Sequence, residues 1–493
     1  MVAERAPVKA ASKILLVLLS LVTTGAAHVG SPDVYYEDHA GPYPLSVVVR
    51  MPLVVPGVAV IEVRSLSDNL KSIQVVPTRI QGEGSKFAPV PDVAERASDD
   101  PKLFRAHLWI MMRGAWKVQI TADGEKGKGE LSVPLAAAPG NSLALQGPLK
   151  WLLTGLMAVL VIGLVGIAGA AVREGMSDPA TAPVPSSKRR SARRVMICTA
   201  LLVIAVLAAG KFWWNWEAAS TAQAAYTVPR VVTSLSASNT LLLRLQRTDS
   251  GRWAERIQLD DLIPDHGHLM HLFLIRFPDM DRMYHLHPHQ DSAGQFSQNM
   301  PALEPGRYKV FADVVHATGF PETQTAEITL PETHEGTLQG DDSFATGISL
   351  LSKIQNTNVT YLEDGGRIIW LDSNVFVPPR EPVKLHFRVE DASGKPATDL
   401  EPYMGMAGHL ILISSDGTVF AHLHPNGSPP MAAVQLANGT GMADHAGHNI
   451  PSEISFPYGF PKAGLYRIFV QFKRAGRIET GVFNVSIVQA IDN

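Results

Sequence analysis

Cysteine is almost missing from this chain: one residue in 493, Cys198, and it falls inside an apolar segment. No disulfide framework or thiolate metal site can be built within a single chain, so any soft or borderline metal has to use His, Met, carboxylate or a terminal amine. A dominant charge sign is also lacking. The 43 basic and 46 acidic residues leave a formal net charge of −3, which gives no reason to expect nucleic acid as a partner. Paired catalytic carboxylates, a Ser/His/Asp order and a phosphate-binding loop are not found, so hydrolase or kinase chemistry has no support.

Histidine, by contrast, is present and unevenly placed: 14 of the 17 lie after residue 216. The N-terminus has a basic start (Arg5, Lys9, Lys13), the apolar run Ile14 to Val22, and then small residues up to Ala27. That order predicts a signal peptide over residues 1–27, cleaved after Ala27. Two longer apolar segments, 151–172 and 195–214, are expected to span a membrane, with Lys211 reaching the interface. Between them, residues 173–194 carry Arg173, Lys188, Arg189, Arg190, Arg193 and Arg194 against Glu174 and Asp178. The positive-inside rule places this loop in the cytoplasm and both flanking regions outside, with Trp151, Trp213, Trp214 and Trp216 at the outer interface. Neither span has an ionisable residue at mid-membrane, so the pair reads as an anchor rather than a transport path. Gly155, Gly163, Gly166 and Gly169 are expected to line the contact between the two helices.

Residues 28–146 and 217–493 consist of short runs rich in Val, Ile, Leu and aromatics, broken by Pro, Gly, Asp and Asn, the punctuation of strands and turns. Gly114-Ala-Trp-Lys-Val-Gln-Ile, Gly306-Arg-Tyr-Lys-Val-Phe-Ala and Gly464-Leu-Tyr-Arg-Ile-Phe-Val repeat one pattern of turn glycine, aromatic and alternating strand. The expected fold is mainly β, with three Ig-like β-sandwich domains (28–146, 217–332 and 343–493) plus two transmembrane helices. Thr333 to Asp342 reads as the linker between the last two.

Those last two share more. His271-Leu-Phe-Leu-Ile aligns with His409-Leu-Ile-Leu-Ile, and His285-Leu-His287-Pro aligns with His422-Leu-His424-Pro. Alternate residues of a strand share a face, so each His-x-His presents two imidazoles together, and a hairpin brings the upstream His towards them. The expectation is two sets, His271/His285/His287 and His409/His422/His424, each offering three imidazoles and an open position suited to copper or zinc. His266, His268, Met270 and His289 flank the first set; Met404, Met406 and the segment Met442-Ala-Asp-His445-Ala-Gly-His448 flank the second. Thioether beside imidazole favours copper. The plainer reading is that these histidines brace strands, and a duplicated structural motif would copy such a role equally well. His107 reads as buried structure, and His316, His334 and His386 as structural or surface residues. Cleavage after Ala27 would make His28 the first residue, whose amine and imidazole form a bidentate chelate for Cu(II), with His39, Asp33, Glu37 or Asp38 completing it.

The stretch Asp399 to His409, with His422-Leu-His424-Pro, is similar to domains of bacterial exported proteins found beside copper-resistance and heavy-metal efflux functions. The N-terminal domain resembles the small YtkA-like or FixH-like sandwiches, and its N-terminal His resembles that of CopC-type copper carriers. The resemblance implies a periplasmic or cell-surface copper-handling module, with His409, His422 and His424 carried over, and His271, His285 and His287 by the repeat. His268 stands where the second repeat has Met406, so the two sites are expected to differ. The expected function is a membrane-anchored metal-binding protein for buffering, resistance or delivery to a metal transporter or another envelope copper protein, not an enzyme. The alternatives are an envelope scaffold without metal, and a copper-dependent redox enzyme built on His28.

Overall fold

The computed structural model describes residues 31–68, 70–82, 85–138, 147–175, 186–223, 229–246, 259–333, 336–352, 358–373, 377–439 and 450–488. The expected signal peptide, His28, His334, and the segment with His445 and His448 lie outside these residues. The chain forms two units, one holding two long helices and the other all the described strands.

The helices are Gly147–Glu174 and Ser186–Gln223, 28 and 38 residues long. At 1.5 Å per residue, either exceeds the ~30 Å hydrocarbon layer, and both are apolar enough to cross a membrane. The second begins at Ser186, so Lys188, Arg189, Arg190, Arg193 and Arg194 stand on its first turns rather than in a loop. Only one of the four expected glycines meets the other helix: a Cβ on Gly169 would collide with Met196, whereas Gly155, Gly163 and Gly166 face open space.

The β unit contains three sandwiches of antiparallel sheets. The first pairs the sheet of Val34–Ala40, Tyr43–Arg50, Gly57–Ser65, Leu103–Ile110 and Glu95–Arg96 with that of Asp92–Val93, Leu70–Arg79, Gly114–Gly124 and Gly127–Ala137. In the first histidine repeat, the inner sheet is built around Gly306–His316, His271–Phe277 and Arg282–Leu286. In the second it is built around Gly464–Arg474, His409–Ser414 and Phe420–Leu423. The inner sheet of the first repeat continues to Ser343–Thr346, which pairs with Arg282–His285. That repeat therefore extends beyond the expected boundary at 332 and takes in the start of the domain expected to open at 343.

The strand following each turn glycine explains the threefold pattern. The indole of Trp116 donates to the Met112 carbonyl, and the hydroxyls of Tyr308 and Tyr466 donate to those of Glu304 and Lys462, at 2.9, 2.7 and 2.8 Å. Each aromatic thus ties the strand to the backbone four residues upstream, a corner typical of sandwich folds.

The two inner sheets also pack on each other. Leu272, Leu274, Val310 and Ala312 face the core of the first repeat, and Leu410, Leu412, Ile468 and Val470 that of the second. The alternate residues Phe273, Ile275, Phe311, Ile411, Ile413, Phe420 and Phe469 form a shared apolar layer between the repeats. Phe311 and Phe420 stack across it, centroids 4.2 Å apart. Phe420→Ala should therefore lower stability by about 3–5 kcal/mol, as measured by denaturant unfolding of the full chain in detergent.

Candidate metal centre

The strand alternation that sends Phe273, Phe311 and Phe420 between the repeats sends His271, His285, His409 and His422 there too. They gather with His266, His268, His287 and His424 in one cluster, adjacent ring centroids 4.0–6.4 Å apart. Instead of two separate sets, the structure shows a joined group of eight imidazoles at the interface. Six are nearly or fully buried on both repeats' strands and turns, His271, His285, His409 and His424 at no more than 2 % exposure.

Two triads bring their ligand nitrogens within 4.8 Å of one another: His271/His285/His287 and His266/His409/His424. The first is the expected set. The second replaces His422 by His266, which reaches across from the other repeat. His266 and Gly267 occupy a tight turn with φ of 51° and 86°, and Met404 and Gly405 repeat it at 50° and 76°. The turns are equivalent, and the His266 Nδ1–H donates to the Met404 carbonyl at 2.8 Å. The signal available in sequence was His-Gly-His against Met-Gly-Met; alignment within a repeat gives His266 a methionine partner and hides its role across the interface. A positive φ at a non-glycine residue is a strained position of the kind found at functional sites.

The hydrogen-bond partners assign the tautomers. His266 and His424 donate from Nδ1 to the carbonyls of Met404 and Pro429, and His287 Nδ1 lies 3.1 Å from Asp342 Oδ1. The Nε2 atoms of His266, His287 and His424 are buried with no hydrogen-bond partner among the described residues. Three bare, desolvated lone pairs are costly unless something electrophilic meets them. A fixed Nδ1–H opposite a free Nε2 is also how metal-ligating histidine is oriented.

Two nitrogen pairs sharpen the case. His271 Nε2–H donates to the Asp265 carbonyl at 3.0 Å, leaving Nδ1 bare. His285 Nδ1–H donates to Gln471 Oε1 at 3.0 Å, with that amide held by its own donor on Ser343 Oγ. The remaining lone pairs of His271 and His285 face each other at 3.1 Å. The second repeat copies the geometry, with His409 Nε2–H on the Tyr403 carbonyl and its Nδ1 3.1 Å from His422 Nε2. Ligands ~2.0–2.1 Å from one ion in tetrahedral array stand ~3.3 Å apart. A proton is a poor substitute here. Burial, reinforced by the neighbouring imidazoles, lowers the pKa of His266 and His271 to about 4, and holds His285, His287, His409, His422 and His424 well below the ordinary value.

The other expected ligands divide. His268 stacks on His287 at 4.0 Å and its Nε2 lies 3.3 Å from Asp341. Met406 is buried in the equivalent turn, where its backbone pairs with Tyr403. His289 and His39 are exposed, as is His107, on the outward face of its strand rather than buried as expected. His316 is buried between Asp261, which accepts from its Nδ1–H at 2.7 Å, and Glu322, 3.6 Å from its Nε2, and these two acids raise its pKa against the cost of burial; His386 lies half-buried near Glu453.

The first sandwich braces this centre. Buried Asp33 pairs with Arg380, and Tyr36 bridges to Gly427, where a Cβ would lie 2.0 Å from the Tyr35 carbonyl. Gly427 in turn exchanges backbone hydrogen bonds with His424. Below a pH of about 6.5 the unfolded chain takes up protons that His266 and His271 refuse until about 4. The metal-free protein should thus keep full stability above pH 6.5 and lose it as pH falls, by about 3 kcal/mol for each of these two residues. Thermal melts between pH 7.5 and 4.5 would record this, and replacing His271 by Gln should flatten the dependence.

No curated protein matches the chain. Among solved structures, a tetra-tandem repeat from the extending region of a large adhesion protein is 9% identical over 89% of this chain and 73% of that one, with a TM-score of 0.16. A bacterial ice-binding adhesin is 7% identical over 89% and 92%, with a TM-score of 0.15. A Salmonella α2-macroglobulin mutant is 9% identical over 94% and 24%, with a TM-score of 0.20. Such values are too low to define a shared fold. Residues 222–332 and 362–489, one segment in each histidine repeat, match the model of a domain of unknown function, DUF8832.

Proposed function

We propose that this chain is an exported, membrane-anchored metal-binding protein whose histidine cluster holds copper. The observation that carries the reading is the set of buried Nε2 atoms on His266, His287 and His424, each aimed away from a fixed Nδ1–H and each without a partner among the described residues. His271/His285/His287 would hold one ion and His266/His409/His424 a second.

Ligand chemistry supports copper. Imidazole suits copper and zinc, and the affinity order for divalent ions peaks at copper. A monovalent ion fits better still: burying two dications among neutral ligands carries a larger desolvation cost than burying two Cu(I). Support for anchoring comes from the two apolar helices, and support for the β unit lying outside comes from the basic residues Lys188 to Arg194 in the first turns of the second. Holding metal close to the membrane raises its effective concentration near a membrane partner such as a transporter.

The test is anaerobic Cu(I) titration of the full chain in detergent against a chromophoric chelator, with Zn(II) in parallel. About two copper ions per chain are expected, as the two triads provide. His287→Ala should remove one ion and His424→Ala the other. Asp342→Asn, which weakens the support of the His287 ring without removing a ligand, should weaken affinity about 10–100-fold. Absence of binding by a folded chain would overturn the proposal and leave an anchored envelope scaffold.

A further inference from the structure

A cavity of about 220 Å³ lies between the first sandwich and the two histidine repeats. One wall is made by Ser31 to Val34 and Pro134 to Ala136 of the sandwich; the other is lined by His268, His271, His422 and His424, half of the cluster. Asp313 lines the same cavity beside these rings. It is the register partner of His271 on the adjacent strand, and its Oδ2 lies 3.7 Å from His422 Nδ1. Its Oδ1 is buried with no hydrogen-bond partner among the described residues.

Exposure falls along this line. The Asp313 side chain is 21% exposed and that of His422 6%, while His424 is 1% and His409 0% exposed. His422 is, with His268, one of the two cluster members that neither triad contains, and its Nε2 is 3.1 Å from His409, a member of the second triad. A carboxylate, then a non-triad imidazole, then a triad imidazole make successive oxygen and nitrogen donors leading inwards. The expected ligand His422 thus has a place of its own in the arrangement.

Resting on the metal-binding reading, we infer that this cavity is the port through which the cation reaches the cluster, with Asp313 and His422 as its relay. An oxygen donor lining the cavity offers an entering cation its first ligand on the way to the imidazoles. Asp313 is not among the groups that hold the ion afterwards. The first sandwich then has a function beyond bracing: it forms the outer wall of the passage.

The experiment is stopped-flow loading of the full chain in detergent with Cu(I), beside an equilibrium titration of the same samples. Asp313→Asn and, independently, Ala136→Phe, which puts bulk into the cavity from the sandwich side, should each slow loading about tenfold or more. Final stoichiometry should stay that of the unaltered chain in both. Loading at the normal rate in both variants would overturn the port. Loss of a bound ion in Asp313→Asn would also overturn it, by making Asp313 a ligand. Failure of the unaltered chain to bind would instead sink the metal reading on which the port rests.

Discussion

The arrangement depends on the packing of two β-sheets that are buried on both faces. In most sandwiches a sheet has a core face and a wet face, and its strands alternate accordingly. Here the inner sheet of each histidine repeat has its own core on one side and the other repeat on the opposite side. The strand His271–Phe277 is buried at six of its seven residues, and His409–Ser414 at all six. Polar groups can enter such a layer only if they are satisfied. The layer is apolar from Phe469 through the Phe311–Phe420 stack, and imidazole where His271, His285, His409 and His422 continue the same rows. The histidines thus inherit their convergence from the apolar packing beside them.

Satisfaction within the cluster is deliberate but incomplete. Carbonyls of Asp265, Tyr403, Met404 and Pro429, the Gln471 amide and the Asp342 carboxylate take one nitrogen of each of six rings. The opposite nitrogens are left facing one another or facing nothing. One-sided support leaves neutral imidazoles oriented and unprotonated, which is the state a cation requires.

The first sandwich takes part in this organisation. Its opening strand is bonded to the Asn426–Ser428 turn that follows His424, and its last strands hold the helix Met431–Asn438 through Ser132 and Asn438. The Asp265 carboxylate accepts from the backbone of Ala432 at the start of that helix, while the Asp265 carbonyl holds His271. Three sandwiches thereby meet at one site.

Much of this was legible in the residue order. Glycine-aromatic strand starts marked three sandwiches because each aromatic bonds four residues upstream, a local interaction. The apolar segments read as membrane helices because length and composition are local properties too. His-x-His put two rings on one side for the same reason, and His271/His285/His287 converge within a single hairpin. What residue order did not contain was the pairing of one repeat with the other. His266 joins His409 and His424 only because the two inner sheets pack face to face, and His422 is displaced to the cavity side by the same contact. The continuous runs His-Leu-Phe-Leu-Ile and His-Leu-Ile-Leu-Ile carried the hint, since a strand without alternation is one buried on both faces. Local pattern determined which residues could act as ligands; long-range packing decided which of them meet.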